Sequence, residues 1–292
     1  MTDYALTLSD VAVRGLRGVS LALLPGEIAG VVGPAGAGKT TLLQVAAGCL
    51  RPARGEAWVW GRRITDAVAR RFIGYAPDHP VFPLSARVRE ALVYYARLHA
   101  AADPPPERAP LRLVREALEL TGLGAAAELH VRELGHADVQ RLALAQAILG
   151  RRRVLVLDEF LTNLDAIARR DLRGRMARLA AEGVAILITA RDPAALERLA
   201  ARALVLREGR VVRAGPLPAL LGERVLEVIL DGPPPEPPPG FRITDAGIEA
   251  PLAGRTVESA LALCRAHRLA VRASRVRVKS LEEIVLETHD TR

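Results

Sequence analysis

Short apolar runs separated by turn residues fill the first eighty positions of the chain and predict strands. The clearest run, residues 28–32, follows the turn Pro25-Gly26-Glu27 and is predicted to be a buried strand. The other runs lie at residues 6–8, 19–23, 55–61 and 73–78, and the last three have glycine or proline at or near their ends. We expect the earlier runs to form an antiparallel β portion that leads into the strand at residues 28–32.

Helical spacing of apolar residues replaces the strand pattern between residues 84 and 150. Helices are predicted at residues 88–100, 111–120 and 139–149. The segment Asp103-Pro104-Pro105-Pro106 separates the first two, because proline cannot continue a helix.

Two later runs, residues 154–157 and 184–189, are apolar almost throughout, which is typical of strands covered on both faces. A helix is predicted between them at residues 166–181, and a hairpin is predicted to turn at Glu208-Gly209. Strands that alternate with helices predict an α/β domain over residues 1–218, with a largely parallel sheet and a helical insert at about residues 84–150.

The sequence changes in character after Pro218 and predicts a second, smaller α+β module over residues 219–292. A proline-rich loop, residues 231–240, interrupts this module. Its predicted elements are a strand at residues 225–230, a helix at 257–267, a strand at 270–278 and a short helix at 280–288.

Composition limits the classes of function that this chain can serve. Its 292 residues are 50% hydrophobic and 3% aromatic, so we expect a core of Leu, Val, Ile and Ala. The net charge of +8 is spread along the chain and not gathered into a basic arm, so no nucleic-acid partner is expected. The two cysteines are far apart, and no apolar run has the length of a signal peptide or membrane span, which favours a cytoplasmic location.

A sequence of the form G-x-x-x-x-G-K-[ST] lies between the strand at residues 28–32 and a helix predicted at residues 42–47. In that context it predicts a phosphate-binding loop, whose backbone N–H groups and helix N-terminus face phosphate oxygens. Lys39, one of only two lysines in the chain, is expected to reach the β- and γ-phosphates, and Thr40 to hold Mg²⁺. The expected nucleotide-binding residues are Gly33, Pro34, Ala35, Gly36, Ala37, Gly38, Lys39, Thr40 and Thr41.

Two carboxylates, Asp158 and Glu159, directly follow the apolar run at residues 154–157. A buried carboxylate is costly unless it has a partner, and beside a phosphate-binding loop that partner is usually Mg²⁺. We therefore expect Asp158 to be a metal ligand and Glu159 to be the general base that polarises an attacking water.

In the order and spacing of these motifs, residues 5–215 resemble the ATP-binding subunits of ABC transporters. Further segments stand where that family has its Q-loop (residues 74–78), signature (134–141), D-loop (162–165) and H-loop (187–192). The resemblance implies a P-loop NTPase fold of ABC type, ATP and Mg²⁺ as ligands, and a dimer that closes on two ATP molecules and moves membrane permease subunits. The tail, residues 280–286, is similar to that of the drug- and polysaccharide-export branch.

Three segments depart from the family's pattern. Asp78 replaces the Q-loop glutamine, and it can contact Mg²⁺ but repels the γ-phosphate. Arg191 replaces the H-loop histidine, and it can hold the γ-phosphate but cannot exchange a proton near neutral pH. The signature reads Leu134-Gly135-His136-Ala137-Asp138, which lacks the family's serine and both of its glycines.

Two side chains of the altered signature carry expectations of their own. Asp138 is predicted either to cap a helix that starts at Val139 or to bring a negative charge near the partner subunit's ATP. His136 is expected to be an exposed loop residue and not a catalyst. Residues 9–25 contain no aromatic side chain that could stack on adenine, so Val13 or Arg14 is expected to cover the base.

Taken with the resemblance, these departures predict a degenerate ABC subunit that binds MgATP and hydrolyses it slowly. It is expected to lie at the inner face of the cell membrane and to pair with a second ATP-binding subunit, in a homodimer or, more simply, with a competent partner. The alternative is a soluble nucleotide-dependent switch that keeps the ABC fold and performs no transport.

Overall fold

The computed structural model describes residues 4–100, 109–150, 152–162, 164–222, 224–232, 236–244 and 247–290. The predicted proline break at residues 103–106, D-loop residue 163 and part of the proline-rich loop at 231–240 lie outside the described residues. Internal contacts divide the chain into two compact units, Met1–Ala214 and Gly215–Arg292. This division falls just before position 218.

The first unit alternates strands and helices after an opening hairpin. Its elements are β1 (Leu6–Val13), β2 (Leu16–Leu23), β3 (Ile28–Val32), α1 (Lys39–Ala46), β4 (Arg54–Val59), β5 (Arg62–Arg63), α2 (Ala67–Arg70), β6 (Ile73–Ala76), α3 (Val88–Ala100), α4 (Ala109–Thr121), α5 (His136–Ile148), β7 (Val154–Leu157), α6 (Ala166–Ala181), β8 (Ala185–Thr189), α7 (Pro193–Glu197), β9 (Arg202–Arg207) and β10 (Arg210–Pro216).

The larger sheet of this unit has the strand order β10-β9-β3-β8-β7-β6. The four pairings that join β9, β3, β8, β7 and β6 are all parallel. Strands β3, β7 and β8 are buried along their whole length, as their continuous apolar sequences predict. Because parallel neighbours end at the same edge of a sheet, the segments that follow β3, β6, β7 and β8 are brought together there.

The smaller sheet has the order β2-β1-β4-β5 and is antiparallel throughout. Its inward side chains, which include Leu6, Leu8 and Val59, share one hydrophobic core with Leu42 and Leu43 of α1 and with the parallel sheet. The predicted α/β class, with its antiparallel β portion, is confirmed.

Helices α3, α4 and α5 lie between β6 and β7 in the chain, and α4 packs against both of the others. Helix α5 begins at His136 and not at Val139. Gly135 occupies the N-cap position in extended conformation, so the predicted capping role of Asp138 is wrong. Asp138 lies in the first turn instead, and His136 is exposed but helical, which corrects its assignment to a loop.

The second unit is a four-stranded antiparallel sheet with helices. Its elements are α8 (Leu217–Leu221), β11 (Arg224–Leu230), β12 (Arg242–Thr244), β13 (Gly247–Pro251), α9 (Val257–Ala266), β14 (Val271–Val278) and α10 (Leu281–Asp290). The strand order is β12-β13-β11-β14, and the core of this unit includes Leu226, Val228, Ile248, Ala260 and Cys264. Two of the strands, β12 and β13, were not predicted.

Candidate functional site

The glycine-rich loop connects β3 to α1 at the carboxyl edge of the parallel sheet. A Cβ atom at Gly33 would lie 2.0 Å from the carbonyl oxygen of Leu206, so only glycine fits where the loop crosses β9. Gly36 has a φ of +75°, and a Cβ there would meet nothing within 4 Å, which leaves space for a ligand on that side of the loop. Gly38 is the N-cap of α1, so no side chain caps the first amides of this helix and they can face an anion.

The ammonium group of Lys39 lies against this loop. Its Nζ atom donates hydrogen bonds to the carbonyl oxygens of Gly33 and Pro34, both at 2.9 Å. Burial lowers the pKa of Lys39, while the charges of Glu159 and Asp158 raise it and that of Arg191 lowers it. The charges of Lys39, Arg191, Asp158 and Glu159 therefore lie close enough beside the loop to interact.

Asp158, directly after β7, is almost completely buried, with 1% of its surface exposed. Its Oδ1 atom accepts a hydrogen bond of 2.8 Å from the hydroxyl of Thr189, whereas its Oδ2 atom is buried and has no hydrogen-bond partner in the described part of the chain. Burial raises the pKa of Asp158, and the nearby hydroxyl groups of Thr189 and Thr40 oppose that shift. An unpartnered carboxylate oxygen beside a threonine hydroxyl is a suitable pair of oxygen ligands for Mg²⁺.

The described residues contain no group of three or more His, Cys, Asp or Glu side chains that could hold a metal ion by itself. Mg²⁺ does not require such a group, because it is usually bound by one or two carboxylates together with waters and substrate phosphates. Thr40 and Asp158 therefore fit a metal that depends on the nucleotide for its remaining ligands.

Glu159 follows Asp158 with a φ of +47°, in the left-handed region that non-glycine residues seldom occupy. Its backbone N–H donates a hydrogen bond of 2.7 Å to the Thr189 hydroxyl, which thus connects the ends of β7 and β8. A strained backbone of this kind persists only where surrounding contacts fix it, and such residues cluster at functional sites. The carboxylate of Glu159 accepts a hydrogen bond from Arg191.

Arg191 lies between two carboxylates. Its Nε atom donates a hydrogen bond to Oε2 of Glu159, and its Nη2 atom lies 3.5 Å from Oδ2 of Asp78. Glu159 and then Asp78 raise the pKa of the Arg191 guanidinium. His79 also approaches Asp78, with Nε2 at 3.3 Å from Oδ2. Asp78 and Arg191, the residues predicted at the Q-loop and H-loop positions, are therefore in contact with each other.

The segment predicted to be the signature, residues 134–138, leads into the start of α5. The Nε2 atom of His136 is 3.4 Å from the carbonyl oxygen of Thr162, in the segment that follows β7. Asp138 forms an ion pair of 2.8 Å with Arg141, which also pairs with Asp171 of α6 at 3.0 Å. The negative charge of Asp138 is therefore balanced by a neighbour on its own helix.

Every residue predicted for the phosphates, the metal or the general base lies on a segment that follows β3, β6 or β7 at one edge of the sheet. Val13 and Arg14, which were predicted to cover adenine, lie instead at the turn between β1 and β2. Sequence reasoning missed Thr189, which joins Asp158 to the backbone of Glu159. The available signal was a hydroxyl residue at the end of an otherwise apolar buried strand.

The protein-family model "ABC transporter" matches residues 16–162, which are half of the chain. The matched region includes the glycine-rich loop, Asp158 and Glu159. This chain belongs to the ABC transporter family.

Its curated relatives include proteins named for import and for export. The sulfate/thiosulfate import ATP-binding protein of Methylococcus capsulatus is 34% identical over 214 residues, which are 72% of this chain and 61% of the relative. Nod factor export ATP-binding protein I of Burkholderia pseudomallei is 35% identical over 224 residues, which are 75% of this chain and 72% of the relative. This ABC-family chain thus spans about three fifths of the first relative, and its assignment to the export branch stays a prediction.

A solved structure supports the same family. The chain aligns with cbiO1 from Clostridium perfringens, part of the ABC transporter complex cbiONQ, with a TM-score of 0.66 and 25% identity, over 76% of this chain and 92% of that one. The predicted P-loop fold of ABC type is confirmed. Within the described ranges, every helix is too short or too polar to cross a membrane.

Proposed function

We propose that this chain is an ATP-binding, energy-coupling subunit of an ABC transporter that binds MgATP at the carboxyl edge of its parallel sheet. The observation that carries the proposal is the buried, unpartnered Oδ2 atom of Asp158, which lies with Thr40 beside an open glycine-rich loop. A buried carboxylate oxygen without a partner is costly, and a cation that arrives with the nucleotide would satisfy it.

Each residue of the site has a part in this proposal. The amides of residues 33–38 and the first turn of α1 bind phosphate oxygens, and Lys39 leaves the loop carbonyls to contact the β- and γ-phosphates. Thr40 and Asp158 hold Mg²⁺, with Asp78 as a further oxygen close by, and the metal would neutralise charge on the phosphates. Glu159 orients a water for attack on the γ-phosphate.

Hydrolysis is proposed to be slow. The cation beside Glu159 is Arg191, which donates a hydrogen bond to Oε2 of Glu159 but cannot exchange a proton near neutral pH as a histidine can. The signature that a second ATP-binding subunit would meet carries His136 and Ala137 in place of glycines, and their side chains keep the backbone away from a phosphate. A partner with complete motifs suits this chain better than a second copy of it.

The proposed membrane partner is a permease that contacts the segment between β6 and α3. Val81 and Leu84 in this segment are 85% and 65% exposed, which is unusual for apolar side chains and favours burial in a complex. The proposed location is therefore the cytoplasmic face of the membrane, without a span of its own among the described helices.

Phosphate release by the purified chain at saturating MgATP tests the proposal, with Glu159→Gln as the inactive reference. We expect a turnover well below one per second for the wild-type chain and none above background for Glu159→Gln. A turnover of several per second without a partner would refute slow hydrolysis. Purification from the native membrane should recover a permease, and recovery of only soluble proteins would favour a nucleotide-dependent switch.

A further inference from the structure

Arg191 lies between the carboxylates of Glu159 and Asp78, so two of the three departures from the family's pattern, at positions 78 and 191, are in contact. Arg191 follows β8, Glu159 follows β7 and Asp78 follows β6, and these three strands are consecutive neighbours in the parallel sheet. The sheet order therefore places the guanidinium within reach of both carboxylates. The side chains of Glu159 and Asp78 are 15% and 26% exposed, whereas that of Arg191 is 59% exposed.

This exposure leaves Arg191 able to move while its partners stay in place. The Glu159 backbone is fixed by its hydrogen bond to Thr189, and Asp78 is separated from the end of β6 only by Pro77. Arg191 also lowers the pKa of Lys39, which shows that its charge reaches the side of the glycine-rich loop where phosphates would lie. A γ-phosphate placed there would attract the guanidinium away from the carboxylates, because arginine binds phosphate oxygens in a bidentate manner.

We propose that Arg191 is a positioning residue that clamps Glu159 and Asp78 in the nucleotide-free chain and exchanges them for the γ-phosphate of ATP. The clamp rests on the proposed function of this site and adds a regulatory step to it. ATP, which has a γ-phosphate, releases the Glu159 carboxylate toward water, and ADP leaves the clamp closed. Asp78 and Arg191, which stand in place of the family's glutamine and histidine, then form an ion pair in which the charge of each residue offsets that of the other.

The clamp and a fixed ion pair make opposite predictions for the removal of Asp78. Asp78→Asn keeps an oxygen that can lie near the metal and removes the charge that repels the γ-phosphate, so it strengthens MgATP binding in either case. If Arg191 must leave Asp78 to bind ATP, the gain in MgATP affinity is larger when Arg191 is present, because Asp78 no longer competes for it. If Arg191 only neutralises Asp78 and stays with it, the gain is larger when Arg191 is absent.

A double-mutant cycle of Asp78→Asn and Arg191→Gln, measured as the affinity for MgATP and MgADP, tests the clamp. We expect Asp78→Asn to improve MgATP affinity about twofold to fivefold more in the wild-type background than in Arg191→Gln, a range set by exposed ion pairs. The MgADP cycle should show no coupling. The β,γ-imido analogue of ATP should behave as ATP does.

Arg275 offers a matched control in the other unit. It is 68% exposed and forms an ion pair of 2.6 Å with Glu227, itself 12% exposed, so Arg275→Gln removes a similar pair. This variant should leave both affinities unchanged.

Three outcomes separate the possibilities. The clamp would be overturned if Asp78→Asn improved MgATP affinity equally in both backgrounds, if the improvement were larger without Arg191, or if MgADP showed the same coupling. Each of these results would leave the proposed function intact. Failure of the wild-type chain to bind MgATP more tightly than Lys39→Ala would instead refute the proposed function. If Asp78→Asn is unstable, Arg191→Lys provides a second test, because it keeps the charge, loses the planar fork and should reduce the preference for ATP over ADP.

Discussion

Replacement of Thr189 by valine should destabilise the first unit strongly, because one buried hydroxyl serves two partners. Thr189 is fully buried. Its hydroxyl donates a hydrogen bond of 2.8 Å to Oδ1 of Asp158 and accepts one of 2.7 Å from the N–H of Glu159. A hydrogen bond to a charged group contributes about 1.5–3 kcal/mol, and a buried N–H left without a partner costs about 1–3 kcal/mol. Since Asp158 can respond by taking up a proton, we expect Thr189→Val to lower the free energy of unfolding by about 2–4 kcal/mol.

Thr121 provides a control with the same substitution and the same burial. Its hydroxyl donates only to the carbonyl oxygen of Ala117, 2.7 Å away in the same helix. Valine there leaves no polar group without a partner, so Thr121→Val should cost at most about 1 kcal/mol. Thr189→Ser keeps the hydroxyl and should recover most of the loss.

Urea unfolding followed by tryptophan fluorescence is the suitable assay. The two tryptophans of the chain, Trp58 and Trp60, lie in and directly after β4, so the signal reports the first unit. Equal destabilisation by Thr189→Val and Thr121→Val, or failure of Thr189→Ser to recover stability, would show that the hydroxyl does not join the two strand ends as described.

Three further predictions concern the loop, the second unit and the rate of hydrolysis. Gly33→Ala should prevent MgATP binding and lower the melting temperature, because its Cβ would meet the carbonyl oxygen of Leu206. Gly36→Ala has open space around its Cβ and should cost only about 1–2 kcal/mol of backbone strain. Equal melting temperatures of the two variants would contradict this difference. Hydrogen bonds from Arg277 and Ser280 lower the pKa of Glu283 from its ordinary 4.5 to about 2, so its contribution to the second unit is complete above pH 4.5 and is lost as the pH falls toward 2. Thermal unfolding followed by circular dichroism should therefore be less sensitive to acid in Glu283→Gln, and an unchanged acid sensitivity would exclude this role. Arg191→His combined with Asp78→Gln should raise steady-state ATP hydrolysis if these two positions limit the rate, and an unchanged rate would assign the limit to the altered signature.

The sequence predicted best the strands whose burial is complete on both faces. Strands β3 and β7 appear as continuous apolar runs because nothing in their surroundings tolerates a charge. Strand β13 was missed because Glu249, at its centre, is buried in an ion pair of 2.5 Å with Arg277. A buried carboxylate matched by arginine from another strand breaks the apolar pattern, and its partner cannot be identified from the chain alone.

The site residues that belong to a local sequence motif were predictable. The contacts between residues that only the order of strands in the sheet brings together were not. Residues 33–41 and 158–159 carry their chemistry in their own spacing. The contact of Arg191 with Glu159 and Asp78 depends on β8, β7 and β6 being neighbours, although their residues are far apart in sequence. Considered separately, the substitutions at 78 and 191 predict two independent defects, whereas the structure places them in one ion-paired group.

Titration of the purified chain with a fluorescent MgATP analogue, compared with Lys39→Ala, tests the central claim most directly. Lys39 makes its hydrogen bonds to the loop itself, so its loss should leave the fold intact while removing the main positive charge beside the phosphates. We expect saturable binding by the wild-type chain and at least a tenfold weaker affinity for Lys39→Ala, equivalent to about 1.4 kcal/mol or more. Equal affinities for the two proteins would contradict the assignment of this edge of the sheet as a nucleotide site.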